Sequence, residues 1–306
     1  MTVDVSVPLV AVIIINWRAT GQTLACLREV RQQEYPSIVT IVVENGSGDG
    51  SATALAGQAT GVTLVALPHN LGFAGGVNRG IAVARAHGAA YVLLLNNDAY
   101  LPPDSIARMV DRMERMANIG IATPKVYYPD GQRKLWGIGG AMRRSHLAMY
   151  GIDTIDVGQY DIVHVDFVFG CAMIIRMAVI DAIGGMDERY FMYSEDCDFC
   201  LRAARAGYDS VLFADLAVTH EGSASTRGAN HLRDYYLIRS RLIFLRTYLR
   251  WPQMVLYATR ELMYLRRIGQ LILHRQYHHI PWYLKGLIQG LCWPLADGTH
   301  TIPRFE

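Results

Sequence analysis

The chain has 306 residues, of which 51% are hydrophobic and 18% are charged. This composition supports a large buried core and excludes a disordered chain, which would lack the apolar residues needed to offset the entropy cost of folding. The net charge is only +2, but residues after 230 carry 11 Lys and Arg against 4 Asp and Glu. We therefore predict an acidic main domain over residues 1–230 and a basic amphipathic helical extension over residues 231–306.

Strands and helices alternate through the first hundred residues. Buried strands are predicted at residues 9–16, 38–43, 62–67 and 91–95. Helices are predicted after the first strand, to about residue 33, and after the second, with Asp49 or Ser51 as the cap. A glycine-rich loop at residues 69–78 opens a third helix, which runs to about residue 87. This alternation predicts an α/β fold with a doubly wound, mostly parallel sheet.

The pattern is less regular in the middle of the chain and becomes helical at the end. A helix follows Pro102-Pro103 to about residue 117, and the region around Trp136 shows no clear periodicity. We predict strands at 163–169, 172–176 and 210–218, helices at 177–183 and 194–206, and C-terminal helices at 232–249 and 252–274. The C-terminal helices alternate apolar and Arg residues. Two interpretations are therefore open, that they lie on a membrane surface or that they pack across the body.

The cysteines and the N-terminal residues bear on cellular location. Five cysteines, an odd number with irregular spacing, indicate reduced thiols in a cytosolic protein. Cys197 and Cys200 form a C-x-x-C without a second pair, which argues against a zinc site. The apolar run at residues 7–15 is too short for a signal or a membrane span. We expect the main domain to face the cytosol.

A strand that runs into Asn96-Asn97-Asp98 is the first candidate site. Asn96 and Asp98 are two residues apart, so in an extended segment their side chains point the same way. His220 ends a later strand at the same predicted edge of the sheet, where open α/β sheets hold ligands. Carboxylate, amide and imidazole groups together suit Mn²⁺ or Mg²⁺. The alternative is structural, since Asn and Asp also suit turns.

Adjacent carboxylates at Glu195 and Asp196 form the second candidate site. They open a predicted helix after an aromatic run at residues 190–193. Their mutual repulsion should raise the pKa of one of them, or recruit a cation or a hydroxyl. The helix dipole favours an ionised base at this position. The alternative is that both residues only cap the helix.

These motifs, in this order and spacing, resemble the family-2 glycosyltransferases with the GT-A fold. The resemblance covers most of residues 9–225 and is carried by residues 43–51, 70–78, 96–98, 195–196 and His220. Within the family the chain is most similar to the rhamnosyltransferase branch, with galactofuranosyltransferases as close relatives. The resemblance implies a nucleotide-sugar half at about 1–100 and an acceptor half at about 101–230.

The resemblance also implies roles for individual residues. Asp196 would be the catalytic base, with Glu195 beside it, and Asp98, His220 and Asn96 would hold the cation. Trp136 and Tyr193 would lie on the acceptor side. Binding of the nucleotide sugar would involve Asn16, Trp17, Glu44, Asn45, Leu71, Gly72, Phe73, Gly76, Asn78, Asn96 and Asn97.

Two positions depart from the family pattern. Glu44 stands where Asp is common, so its contact with the nucleobase is less direct. Asn96 stands where many members have Asp, which lowers the negative charge of the cation site by one. This change should weaken cation affinity, and it leaves open whether the metal binds before the nucleotide sugar.

The activity implied is inverting, metal-dependent transfer of a sugar, with rhamnose from dTDP-rhamnose favoured, to a lipid-linked or polysaccharide acceptor in cell-envelope glycan synthesis. Transfer of galactofuranose or another sugar from UDP, or non-catalytic nucleotide-sugar binding, are the alternatives. A dinucleotide oxidoreductase is disfavoured because no G-x-G-x-x-G turn follows the first strand. We expect a peripheral location at the inner face of the cell membrane and no nucleic-acid partner, and leave homo-oligomerisation open.

Overall fold

The computed structural model describes residues 7–143, 146–161, 163–222, 230–249, 252 and 263–294. Twelve strands lie in the described chain: β1 Val10–Asn16, β2 Ile38–Glu44, β3 Thr63–Ala66, β4 Tyr91–Asn96, β5 Ala99–Tyr100, β6 Ile119–Tyr127, β7 Leu135–Gly137, β8 Gly139–Arg143, β9 His146–Tyr150, β10 Val163–Val165, β11 Ala172–Arg176 and β12 Asp209–His220. The helices described are α1 Thr20–Val30, α2 Ser51–Gln58, α3 Gly72–Ala86, α4 Ser105–Arg115, α5 Met177–Ile183, α6 Glu195–Arg205, α7 Asn230–Tyr248, α8 Met263–Leu273 and α9 Ile280–Cys292.

Ten of these strands form one sheet. Its order is β10-β12-β6-β11-β4-β1-β2-β3, with β5 beside β12 and β7 beside β6, while β8 and β9 form a separate hairpin. Strands β3, β2, β1 and β4 are parallel, as are β6 and β12, and β11 is antiparallel to its neighbours β4 and β6. Helices connect the parallel strands, as parallel pairing requires. The predicted α/β fold with a mostly parallel sheet is confirmed.

Both faces of the sheet are buried, which explains why its strands are continuous apolar runs. Along β1, Ala11 and Ile13 face one cluster of buried side chains, and Val12 and Ile14 face another. The first cluster includes α3 and the second includes α1 and α4. The centre of the sheet is therefore rigid, and its polar strand ends are held at one edge.

Helix α3 begins earlier than predicted. It starts at Gly72, so most of the predicted glycine-rich loop is helical. The glycines allow close packing on β1, since a Cβ at Gly80 would lie 2.5 Å from the Ile13 side chain and one at Gly76 would lie 3.4 Å from Ile15. The loop prediction was wrong because these glycines serve helix packing instead of chain reversal.

Strand β6 was not predicted from the sequence. Gly120 and Pro124 weaken its strand pattern, since Pro cannot donate to a ladder. In the structure, Pro124 lies opposite Phe213, where the pairing of β6 with β12 shifts register before Ala217. An irregular ladder tolerates a missing N–H at that position.

The predicted strand at 163–169 was wrong in its second half. Strand β10 ends at Val165. The amides of Asp166 and Phe167 then donate to the Gly140 carbonyl, and the Gly140 amide donates to Phe167. The chain therefore leaves β12 and pairs briefly with β8, which turns the following residues toward the edge of the sheet.

The C-terminal helices pack on this body. Phe244 and Tyr248 of α7 are buried in the cluster that contains one face of the sheet. Helix α9, which was not predicted, lies on α7, where a Cβ at Gly286 or Gly290 would approach backbone oxygens of α7 to 2.5 and 2.8 Å. The predicted helix at 252–274 falls partly outside the described residues. Its described part is α8, and no described helix is long and apolar enough to cross a membrane.

Candidate active site

Three polar side chains meet at the edge where β4 and β12 end. Asn96 ends β4, Asp98 lies before β5, and His220 ends β12 opposite Ala99 of β5. The Nε2 atom of His220 lies 3.0 Å from Asp98 Oδ1 and 3.2 Å from Asn96 Nδ2. Asp98 and His220 are buried. The structure thus brings together the three residues predicted to hold a cation.

The donor set fits Mn²⁺ or Mg²⁺. The described residues contain no group of three His, Cys, Asp or Glu side chains that could hold a metal, so the third donor here is the Asn96 amide, whose oxygen and nitrogen can exchange places by a flip. Burial lowers the pKa of His220, but the nearby Cys171 and Asp98 raise it to about 10. Without a cation, His220 and Asp98 therefore form an ion pair. A single carboxylate makes this a site of low negative charge.

Trp136 lies directly against this group. Its ring meets the His220 ring edge-on, with centroids 4.9 Å apart, and the Phe169 ring at 5.3 Å. The residue predicted on the acceptor side therefore lies against His220 of the candidate cation site.

Asp196 and Glu195 differ in their surroundings. The Asp196 carboxylate accepts hydrogen bonds from the Gly170 amide at 3.2 Å and from the Cys197 amide at 2.8 Å. Burial raises the pKa of Asp196 while these amides lower it, and the net shift is upward. Burial, followed by the charge of Asp196, raises the pKa of Glu195 well above its ordinary value. Glu195 Oε2 has no hydrogen-bond partner among the described residues. Asp196 retains partial exposure, as a base that must reach a substrate requires.

A short segment joins the two groups. The Phe169 ring contacts Trp136, and the backbone amide of Gly170 donates to Asp196. The Cys171 carbonyl accepts a hydrogen bond from the backbone amide of Asn96 at 2.8 Å. Three consecutive residues therefore connect the carboxylate of α6 to the cation candidates at the sheet edge.

The segment before Glu195 has an unusual backbone. We call residues 190–194 the aromatic loop. Phe191, Tyr193 and Ser194 have φ values of +64°, +70° and +68°. Each such conformation costs on the order of 1–3 kcal/mol in a residue other than glycine, and it persists only where surrounding contacts impose it.

Helix α7 supplies those contacts. The Ser240 hydroxyl lies 2.8 Å from the carbonyl oxygens of both Tyr190 and Met192, and Arg239 donates to Tyr190 at 3.2 Å. The sequence left open whether the Arg-rich helix packs on the body. In the structure the Arg239 side chain is buried, with its guanidinium 4.1 Å from the centre of the Trp293 ring. The roles of Ser240 and Arg239 were missed, because polar residues in a helical pattern do not reveal which loop they will meet.

Two of the predicted nucleotide-sugar residues lie in a buried network behind the sheet edge. The Thr23 hydroxyl donates to Asn16 Oδ1 at 2.8 Å and accepts from Asn97 Nδ2 at 3.0 Å. Asn16 Nδ2 is buried and without a partner among the described residues. Trp17, next to Asn16, is half-buried, and the Arg18 guanidinium lies 5.2 Å from its ring centre.

Glu44 and Asn45 shape the turns beside the edge. The Ser47 amide donates to Glu44 at 2.8 Å. Asn45 donates to the Gly72 carbonyl at 2.9 Å and accepts from the Leu71 amide at 3.0 Å, so it fixes the start of α3. Both side chains are buried.

The start of α3 also contacts the predicted acceptor half. The Phe73 amide donates to the Phe191 carbonyl at 2.6 Å. The Asn78 side chain donates to the Met186 carbonyl and accepts from its amide, both at 2.8 Å. The Phe73 ring lies beside Gly170, whose Cβ position is 3.5 Å away. These contacts join the predicted nucleotide-sugar half to the aromatic loop.

The fold and the residues at its edge define a glycosyltransferase of the GT-A type. A model of glycosyltransferase-like family 2 matches residues 8–236, which is most of the chain, and the protein belongs to this family. The N-acetylglucosaminyl-diphospho-decaprenol L-rhamnosyltransferase of Mycobacterium tuberculosis is 29% identical over 233 residues, which cover 68% of this chain and 74% of that protein.

Other relatives share the fold or part of the sequence. The low-salt glycan biosynthesis hexosyltransferase Agl10 of Haloferax volcanii is 28% identical over 140 residues, or 44% of each chain. The mannosyltransferase PcManGT of Pyrobaculum calidifontis, solved with GDP-Man and Mn²⁺, superposes with a TM-score of 0.59 at 16% identity and covers 94% of this chain and 87% of that one. The structure of S. aureus TarS 1-349 superposes with a TM-score of 0.55 at 14% identity, and the match covers 93% of this chain and 81% of that one.

Proposed function

We propose that this protein transfers rhamnose from dTDP-rhamnose to a lipid-linked or polysaccharide acceptor, with inversion at the sugar and with the help of Mn²⁺ or Mg²⁺. One observation carries the proposal. The backbone of Gly170 and Cys171 ties the candidate base Asp196 to the Asn96, Asp98 and His220 cluster. A base and a cation site held together are what single-step transfer from a nucleotide sugar requires.

Each residue has a defined task in this reaction. Asp196 accepts the proton of the acceptor hydroxyl as that oxygen attacks the sugar carbon, and the nucleoside diphosphate leaves on the opposite side. A bound cation, held by Asn96, Asp98 and His220, would neutralise part of the charge on the diphosphate. Trp136 and Tyr193 would border the acceptor. Since one in-line displacement suffices, no covalent sugar-enzyme adduct forms.

The choice of rhamnose rests on the mycobacterial relative, whose identity of 29% gives modest support. That relative is named for a diphospho-decaprenol acceptor, which is a lipid-linked glycan. Galactofuranose or another sugar carried by UDP is the second candidate, because the nucleobase contacts expected of Glu44 differ from the family pattern. A lipid-linked acceptor places the protein at the inner face of the cell membrane, in a peripheral location.

Donor binding with and without metal tests the cation site. Thermal shift with dTDP-rhamnose, UDP-galactofuranose and other nucleotide sugars should show stabilisation that depends on Mn²⁺ or Mg²⁺. Asp98→Ala should abolish the metal-dependent part, because it removes the only carboxylate of the cluster. Asn96→Asp should preserve or strengthen it by adding a charge. Unchanged metal dependence in Asp98→Ala would place the cation elsewhere.

Turnover tests the base. Asp196→Asn keeps the shape of the side chain but cannot accept the proton, so donor affinity should change only a few-fold while turnover falls by roughly 10²–10⁴. Glu195→Gln is the matched control, and it should cost less if Glu195 only positions the aromatic loop. Near-normal turnover in Asp196→Asn together with a large loss in Glu195→Gln would assign the base to Glu195.

A further inference from the structure

Helix α9 has one packed side and one exposed apolar side. Its packed side, with Gly286 and Gly290, lies on α7. Leu284, Ile288 and Leu291 follow a spacing of four and three residues, so they share one face of the helix. Their exposed fractions are 40%, 61% and 48%. Three neighbouring aliphatic side chains on one face, all exposed, indicate a surface that meets a partner.

Exposed apolar side chains continue into the preceding segment. Ile272 and Leu273 end α8, and Leu273 is 78% exposed. Tyr277, in the short turn before α9, is also exposed. We call the six residues Ile272, Leu273, Tyr277, Leu284, Ile288 and Leu291 the α8–α9 face.

The charged residues near this face favour a negatively charged partner. Residues 263–294 include Arg266, Arg267, Arg275 and Lys285 and no Asp or Glu. The charge of Arg267 is offset by Asp234 of α7, 2.8 Å away, whereas Arg275 and Lys285 are exposed. The Lys285 ammonium lies 5.4 Å from the centre of the Trp282 ring. A helix with apolar residues on one face, flanked by cationic and aromatic side chains, suits the interface of an anionic bilayer. A symmetric contact between two copies would instead bring like charges together.

We propose that the α8–α9 face docks on an anionic phospholipid membrane, with α9 lying in the plane of the interface. The inference rests on the proposed lipid-linked acceptor and deepens it by naming the surface that meets the bilayer. Helix α9 packs on α7, and Ser240 of α7 binds the aromatic loop next to Glu195. A docked α9 therefore keeps the candidate active site close to a membrane-bound acceptor.

Vesicle binding tests the proposal. The full chain is sedimented with vesicles of phosphatidylcholine and with vesicles that also contain phosphatidylglycerol. The variant Leu284→Asn/Ile288→Asn/Leu291→Asn should partition into the mixed vesicles at least about tenfold less, because three aliphatic side chains no longer leave water. Met149→Asn/Ile155→Asn/Val157→Asn is the matched control, since these side chains are 42%, 50% and 81% exposed but distant in sequence from α9. The control should bind like the wild type.

A charge variant tests the electrostatic part without altering the apolar stripe. Lys285→Glu should weaken binding to the mixed vesicles, and the difference from the wild type should shrink as salt is added, since exposed charges are screened within about 8–10 Å at moderate salt. Far-UV circular dichroism and metal-dependent donor binding should match the wild type in every variant. The donor-binding readout also judges the proposed function separately, since donor binding needs no membrane.

Three results would overturn the membrane assignment. The first is a wild-type chain that binds neither type of vesicle. The second is equal loss of binding in the α9 variant and in its matched control. The third is an α9 variant that keeps its vesicle binding but changes from dimer to monomer in sedimentation velocity, which would identify a second copy as the occupant of the face.

Discussion

Removing the Ser240 hydroxyl tests whether α7 positions the aromatic loop. The hydroxyl is completely buried and 2.8 Å from the carbonyl oxygens of Tyr190 and Met192. In Ser240→Ala, Arg239 still donates to Tyr190, but the described hydrogen bonds leave Met192 without this donor. A fully buried carbonyl without a partner costs about 1–3 kcal/mol, and because Met192 is only half-buried, this range is an upper bound on the cost.

That energy acts on a backbone that is already strained. The loop holds three left-handed residues, so lost support should favour a relaxed loop in which Glu195 and Asp196 are displaced. If the lost hydrogen bond destabilises only the active conformation of the loop, the fraction of molecules in that conformation drops by between about 5-fold and 150-fold. These figures set the upper limit for the loss of turnover.

The assay is steady-state transfer with varied donor and acceptor. We expect kcat to fall and the donor affinity, measured separately by thermal shift, to stay within a few-fold, because Ser240 contacts Tyr190 and Met192 of the predicted acceptor half. Thr247→Ala is the matched control, since it removes a hydroxyl of the same helix whose one hydrogen bond among the described residues is to the Ile243 carbonyl of the preceding turn. The control should lose little turnover.

Equal loss of turnover in the two variants would refute the reasoning, since it would indicate general damage to α7. Loss of stability in Ser240→Ala with unchanged kcat would also refute it, because the hydroxyl would then support the fold without positioning the loop.

Two further variants test contacts away from α7. Gly72→Ala should unfold at lower urea and lose donor binding, because Gly72 has φ +76° and its Cβ would lie 2.4 Å from the Phe191 carbonyl. Gly88→Ala is the control, since Gly88 has φ +72° but no described atom within 4 Å of its Cβ position, and it should lose only about 1 kcal/mol of stability. Equal losses of stability in the two variants would contradict the close approach at Gly72. Asp156→Ala should cost about 3–5 kcal/mol at pH 7, because it leaves the buried Lys125 ammonium, 3.1 Å away, without its counter-charge. Burial raises the pKa of Asp156, but hydrogen bonds and the Lys125 charge outweigh it and hold that pKa well below its usual range. The stability that Asp156 contributes is therefore present above about pH 4 and is lost as the pH falls further. A difference in unfolding free energy between wild type and Asp156→Ala that does not shrink in acid would refute this.

The sequence determined the layered fold and which polar residues meet at the edge of the sheet. The apolar runs of β1 and β4 are buried on both faces, which a continuous run of Val, Ile and Leu already indicates. Asp98 and His220 could be expected to meet because parallel strands end at one edge of a sheet. Glu195 and Asp196 could be placed at a helix start from local sequence alone. These features depend on periodicity and on residues close in the chain.

The tertiary structure decided the contacts between distant segments. Strand β6 forms in spite of Pro124 because β12 supplies a ladder whose register shifts at that point. Ser240 and the aromatic loop are 50 positions apart, and nothing in a helical pattern of apolar and Arg residues distinguishes a face that meets a protein loop from one that meets lipid. A helix face of either kind buries apolar side chains and has cationic side chains along its edges. Only the packing of α7 against the body brought Arg239 and Ser240 to the aromatic loop beside the candidate active site, and it left the apolar side of α9 exposed.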